Sequence, residues 1–209
     1  MVKINRGEKS PLFNIVSPDP NIAFTDTQLQ LFILFSIAVA GKTAKVQEKA
    51  IYKFLTLEKG KTPFDKLRKM LKKGTLRENL IKARLGKYTL LEKAYTQLAI
   101  SNINLRKCTI EALESIKGVG FKTSRFFLLH SRKNIGLAAL DTHVLKFLRE
   151  FSDERKIDII IPKTTPGSKN KYEKLEQLFL GIAKEQNTTP QELDYKIWMK
   201  YSKYPSTLN

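Results

Sequence analysis

The sequence predicts an all-α protein, on three observations. Helix-capping signals recur from end to end, glycine and proline breakers separate the segments that follow them, and the only strand-like fragment, residues 157–161, is short and isolated. Thr25-Asp26-Thr27-Gln28 has the Thr-x-x-Gln form of a capping box. The apolar run behind it, residues 29–40, is interrupted by Gln30 and Ser36 and falls short of the ~20 residues that cross a bilayer, so it reads as a core helix. Thr62-Pro63 pairs a threonine cap with proline at the first helical position. Thr89-Leu90-Leu91-Glu92 repeats the box, followed by Ala94, Tyr95 and Leu98 at helical spacing. Ile110 opens a short amphipathic helix, and Thr189-Pro190-Gln191-Glu192 combines cap, proline and box. At least eight helices are expected. No internal repeat of about 20–50 residues is visible, which argues against a solenoid.

Charge supplies the first functional constraint. Thirty-eight basic against 20 acidic residues leave +18, an excess that points to a polyanion. Nucleic acid fits better than membrane, because no stretch pairs this charge with a spanning segment. Cys108 is the only cysteine, which excludes an intrachain disulfide and an all-cysteine metal or iron–sulfur site. Residues 1–10 are charged with no apolar stretch behind them, unlike a secretory signal, so an intracellular location (cytoplasm or nucleoid) is expected. Residues 1–20 read as a polar arm, and residues 162–171 form the clearest basic loop.

The chemistry concentrates in residues 110–150. Lys117-Gly118-Val119-Gly120-Phe121-Lys122-Thr123-Ser124 joins a short helix to an apolar one. Two glycines around one valine suggest a hairpin so tight that a Cβ at either glycine would collide or demand an unfavourable φ. Backbone N–H groups at the start of the second helix lack intrahelical partners, and the helix dipole adds partial positive charge. Helix, Gly-Val-Gly and helix is therefore a device for holding a phosphate backbone, although an ordinary helix-to-helix turn has the same spacing. Further on, Asp141-Thr142-His143 stands where an apolar run ends and a new helix begins, 141 − 122 = 19 residues after Lys122.

Gly-Val-Gly-Phe-Lys-Thr-Ser followed by Leu-Asp-Thr-His-Val-Leu-Lys resembles the signature of the helix-hairpin-helix DNA glycosylases, the superfamily of endonuclease III. The likeness extends over roughly residues 25–200. It takes in Gly41-Lys42 in a turn after the first helix, Leu85-Gly86-Lys87-Tyr88 before the hairpin, and an ending similar to the short, archaeal-type 8-oxoguanine DNA glycosylases. Two departures are visible: the four cysteines of the cluster-bearing branch are absent, and the stretch after Trp198 differs from the short enzymes' ending.

The resemblance implies two helical lobes with a cleft between them. One lobe is residues 24–135, containing the hairpin; the other is residues 1–23 with 136–209. It implies that Lys122 is the nucleophile forming a Schiff base, and that Asp141 is its electrostatic and proton-transfer partner. Gly118, Val119, Gly120, Thr123 and Lys42 are the DNA-binding candidates. Phe127 and Trp198 are candidates to stack on an extruded base, with a core role as the alternative for each. Asp141 also reads as the cap of the helix after it, Lys122 and Lys42 as solvated charges, His143 and His130 as packing groups, and Cys108 as inert. The implied partner is damage-bearing double-stranded DNA, met by a monomer with no membrane involvement. No metal or organic cofactor is implied, though a hairpin carbonyl is a seat for a monovalent cation. Three functions stay open: a bifunctional glycosylase and abasic-site lyase for an oxidised base such as 8-oxoguanine, a monofunctional adenine or alkylated-base glycosylase, and a non-catalytic DNA-binding module.

Overall fold

The structure is a computed structural model that describes residues 24–201. The arm at residues 1–23 and the tail at residues 202–209 lie outside the described residues. Ten helices make up the described chain: α1 (Asp26–Ala38), α2 (Ala44–Thr56), α3 (Pro63–Lys72), α4 (Leu76–Lys82), α5 (Tyr88–Ile100), α6 (Ile110–Glu114), α7 (Phe121–Ser131), α8 (Thr142–Arg155), α9 (Lys169–Glu185) and α10 (Pro190–Tyr201). Among the described residues there is no strand; residues 157–161 are irregular. No described helix is long and apolar enough to cross a membrane.

Three of the four sequence boxes cap helices as expected. Thr25 accepts from Gln28 N–H while the Gln28 side chain returns to Thr25 N–H. Thr62 accepts from Asp65 N–H with Pro63 at the first turn. At α10, Glu192 N–H meets Thr189 Oγ1 at 3.2 Å and Thr189 N–H meets Glu192 Oε2 at 2.9 Å. The fourth fails. α5 starts one residue before Thr89, from Lys87 in the left-handed region (φ 46°), and Glu92 turns instead to Arg77 at 2.7 Å. The glycine turn ahead of it forces an early entry, so the box motif is spent on an ion pair.

Two apolar clusters hold the chain together. The larger is built from residues 24–128 around α1, whose Phe32, Ile33 and Leu34 are fully buried, which is why that run is apolar on every face. α2, α3, α5 and α7 pack on α1. The smaller cluster, residues 138–197, joins α8, α9 and α10 around Leu148, Tyr172 and Phe179. α7 touches both: Phe127 and Leu128 belong to the first cluster, Phe121 packs against the second, and α10 lies on α7 as well as on α8. The N-terminal turn of α7 and the start of α8 therefore meet where the clusters adjoin.

Candidate active site

The hairpin between α6 and α7 forms as the sequence suggests, but its two glycines do different work. Gly118 has φ +92°, and a Cβ there would come within 2.7 Å of Leu90 Cδ2. It must be glycine. Gly120 is extended (φ −100°, ψ −178°), and an added Cβ would meet nothing within 4 Å, which corrects the expectation that both glycines are sterically required. Gly120 begins α7 with no side-chain cap on the helix. Its carbonyl accepts from Thr123 and Ser124 N–H at 3.0 Å, and Val119 N–H closes the turn on Ile116 O at 3.0 Å. Val119 and Thr123 are 5% and 4% exposed. Their amides are thus spent inside the hairpin and their side chains are buried. This takes both out of the set offered to a phosphate and leaves the open face at Gly120.

Lys122 lies on the first turn of α7, half-buried, with Nζ 4.6 Å from the centroid of the Phe126 ring. Burial draws its proton affinity below that of an ordinary lysine, while Asp141 and Asp194 oppose the shift. Its charged neighbours are carboxylates, and desolvation does the lowering. Asp141 caps α8, with Oδ1 accepting from His143 and Val144 N–H at 2.9 Å each. Burial, and then the charge of Asp194, push its carboxyl above the usual range, against the Val144 N–H, Lys122 and His143. Capping leaves Oδ2 outside both of these bonds.

Asp194 is the member of the site that the sequence reading did not single out. It sits on α10, 9% exposed, with Oδ2 2.9 Å from His130 Nε2. His130 in turn packs on Phe126 at 4.9 Å, so Lys122, Phe126 and His130 run along one face of α7 toward α10. The signal was there: Asp194 is three residues from buried Ile197 and therefore on the inner face of its helix, an unusual place for a carboxylate. Amine and two carboxylates together form a nucleophile of reduced basicity in an anionic, partly dehydrated setting, suited to attack a carbon that becomes cationic.

The remaining candidates divide. Phe127 is fully buried with its ring 5.5 Å from that of Phe32, so it is a core residue and not a stacking platform. Trp198 is half-buried and stacked near Tyr195, with ring centroids 6.3 Å apart. Lys42 donates to Leu85 O at 2.9 Å, and Lys87 donates to Ala40 O, a reciprocal clasp between two turns. His143 stacks on Tyr201. The Cys108 thiol is buried and pushed up by desolvation, consistent with an inert role. Among the described residues, no three His, Cys, Asp or Glu side chains converge as a metal site.

No protein-family model matches the chain. Curated proteins do. An 8-oxoguanine DNA glycosylase/AP lyase of Metallosphaera sedula is 34% identical over 91 residues, 42% of this chain and 39% of that protein. One of Saccharolobus islandicus is 33% identical over 124 residues, 58% of this chain and 54% of that protein. The match thus spans about half or less of these relatives' length. Among solved structures, the Methanocaldococcus jannaschii 8-oxoguanine glycosylase/lyase in complex with a 15mer DNA containing 8-oxoguanine superposes with TM-score 0.53 at 25% identity, over 91% of this chain and 88% of that one. A second structure, of the M. jannaschii 8-oxoguanine DNA glycosylase, gives 0.54 at the same identity, over 91% of this chain and 85% of that one.

Proposed function

We propose that this chain, which belongs with the helix-hairpin-helix DNA glycosylases of the archaeal 8-oxoguanine type, excises 8-oxoguanine from duplex DNA and cleaves the strand at the resulting site. The observation that carries the reading is the half-buried Lys122 amine, lowered in basicity by desolvation, beside the capping carboxylate of Asp141. A stacked nucleotide hides its sugar carbon, so the damaged nucleotide is flipped out, at a cost of a few kcal/mol. The +18 net charge and the open Gly120 face support the backbone contacts that offset this cost. Lys42, once its clasp to Leu85 is considered, holds the turn that faces the gap and still has two N–H groups for a phosphate.

Lys122 acts as the free amine. Its lone pair forms a bond to C1′ while the C1′–base bond breaks, the electron pair leaving with the base, which takes up a proton. Loss of an amine proton and opening of the sugar give a cationic imine. Removal of a C2′ proton then expels the 3′ phosphate oxygen by β-elimination. Asp141, as carboxylate, stabilises the cationic sugar, and its raised proton affinity suits it to accept and return protons around Lys122. These steps need no metal or organic cofactor. A monovalent cation at the hairpin belongs to the same proposal; the Ile116 carbonyl accepts one amide and retains a lone pair for it, whereas the Gly120 carbonyl already accepts two.

We assign the two apolar clusters to the two lobes, 24–135 and 136–201, with the described site between them and the protein acting as a monomer inside the cell. Trp198 is retained as a stacking candidate. The direct test is a panel of duplexes, each with one defined lesion. The 8-oxoguanine strand should be cleaved without added enzyme. Base loss that needs hot alkali to break the strand would mean a monofunctional enzyme, and binding without base loss would mean a non-catalytic module.

A further inference from the structure

The backbone just ahead of Asp141 is buried yet belongs to no helix or sheet. Ala138, Ala139 and Leu140 are at most 2% exposed, so their polar groups require protein partners. Side chains provide them. Ala138 N–H donates to Glu176 Oε1 at 2.9 Å, and Ala138 O accepts from the Tyr172 hydroxyl at 2.8 Å. Leu140 N–H donates to that same hydroxyl at 3.0 Å, and Leu140 O accepts from Thr165 Oγ1 at 2.8 Å. Ala139 O accepts from Asp141 N–H itself at 2.6 Å.

One tyrosine thus uses its donor and an acceptor position on a single three-residue segment, and it is fully buried while doing so. Burial pushes its hydroxyl far above the usual range, so it stays a donor. Behind it lies Arg125, three residues after Lys122 on α7 and 3% exposed. Its guanidinium bonds Glu176 Oε1 at 3.0 Å and Glu114 Oε1 at 2.8 Å, and lies 4.6 Å from the Tyr172 ring centroid. A continuous buried chain therefore runs from the helix that carries Lys122 to the segment that carries Asp141.

We propose that Tyr172 is a positioning residue for Asp141: with the Arg125–Glu176 pair behind it, its hydroxyl fixes residues 138–140 and so sets where the Asp141 carboxylate stands relative to Lys122. The proposal rests on the glycosylase reading above. Misplacing a catalytic group by about 1 Å can cost on the order of a hundredfold in rate, so an effect through position is large enough to measure.

Tyr172→Phe keeps the ring against Phe121 and Arg125 and removes only the hydroxyl. Single-turnover excision of 8-oxoguanine should slow by about 10- to 100-fold, with lesion-duplex affinity changed less than about threefold. The decisive readout is a double-mutant cycle. In an Asp141→Asn background, Tyr172→Phe should have little further effect, because the charge it positions is gone. Unchanged excision by folded Tyr172→Phe, or a full multiplicative loss in the Asp141→Asn background, would overturn the proposal and leave Tyr172 a structural residue. Should Tyr172→Phe not fold, Thr165→Val removes the Leu140 contact alone, and the same cycle applies with a smaller loss. A wild-type protein inert on every lesion would defeat the glycosylase reading itself, which the variants alone cannot do.

Discussion

Replacing Asp141 with Asn separates the two things this side chain does. As a cap, its Oδ1 accepts two N–H groups at 2.9 Å, and an amide oxygen in the same place accepts both. Asn and Asp are nearly equivalent caps, so the lost helix stability is a few tenths of a kcal/mol. Burial has raised the Asp141 carboxyl's proton affinity. The native state therefore holds this proton more tightly than the unfolded chain does, and the stability this supplies is present below the unfolded pKa and lost as pH rises through the higher folded one. At pH 7 the ionised group is a burden that Asn removes. The two effects oppose, and at roughly 2–4 °C per kcal/mol the melting temperature should move by no more than a degree or two. Rate is another matter. Removing one preorganised charge at a developing cation costs about 2.7–4 kcal/mol, a hundred- to a thousandfold. The assay is single-turnover excision from an 8-oxoguanine duplex at saturating protein, alongside a melt and a binding curve. Near-normal excision by a well-folded Asn variant would reduce Asp141 to a helix cap and refute the reasoning.

Asp194→Asn removes a negative charge that raises the proton affinity of both Lys122 and Asp141 while keeping an acceptor for His130. The rise of imine formation with pH, which tracks loss of the Lys122 proton, should therefore move to lower pH. The charged groups bearing on Lys122 are Asp141 and Asp194, and His130→Asn is measured beside Asp194→Asn as a control for packing. Gly118→Ala should destabilise the fold by about 1–3 kcal/mol through its positive φ and the Leu90 contact, whereas Gly120→Ala should melt near wild type. Equal melting temperatures for the two would contradict the hairpin geometry. With about five phosphate contacts, log K for duplex binding should fall against log salt with a slope of roughly −4.5, and a flat dependence would remove the phosphate role of the basic surface.

The parts of this molecule legible in its sequence are those written in local chemistry. Three capping motifs fix helix starts because a threonine acts with a glutamine, a proline or a glutamate within four residues of it. The Thr89 box misled because its glutamate had a better partner in Arg77, distant in sequence. Lys122 and Asp141 are named through the family resemblance, which the glycine hairpin and the helix start 19 residues after Lys122 carry. Asp194 and Tyr172 could not be given roles, since one reaches the site across the α7–α10 contact and the other acts on backbone 32 and 34 residues away. Phe126 and Phe127 both pack at 5.5 Å on Phe32, and only burial tells them apart: Phe127 is fully enclosed, while the partly buried Phe126 ring lies under Lys122. Val119 and Thr123 looked like phosphate donors until the turn's own hydrogen bonds were seen to use them.

The central claim is that the Lys122 amine bonds to the sugar, and borohydride reports on that bond directly. Reduction during reaction with an 8-oxoguanine duplex, or with an abasic-site duplex, should trap a covalent protein–DNA complex. Lys122→Gln should bind the same duplexes and trap nothing, and peptide mapping of the wild-type adduct should place the modified residue at Lys122. Undiminished trapping by folded Lys122→Gln, or an adduct mapped to any other amine, would contradict the account.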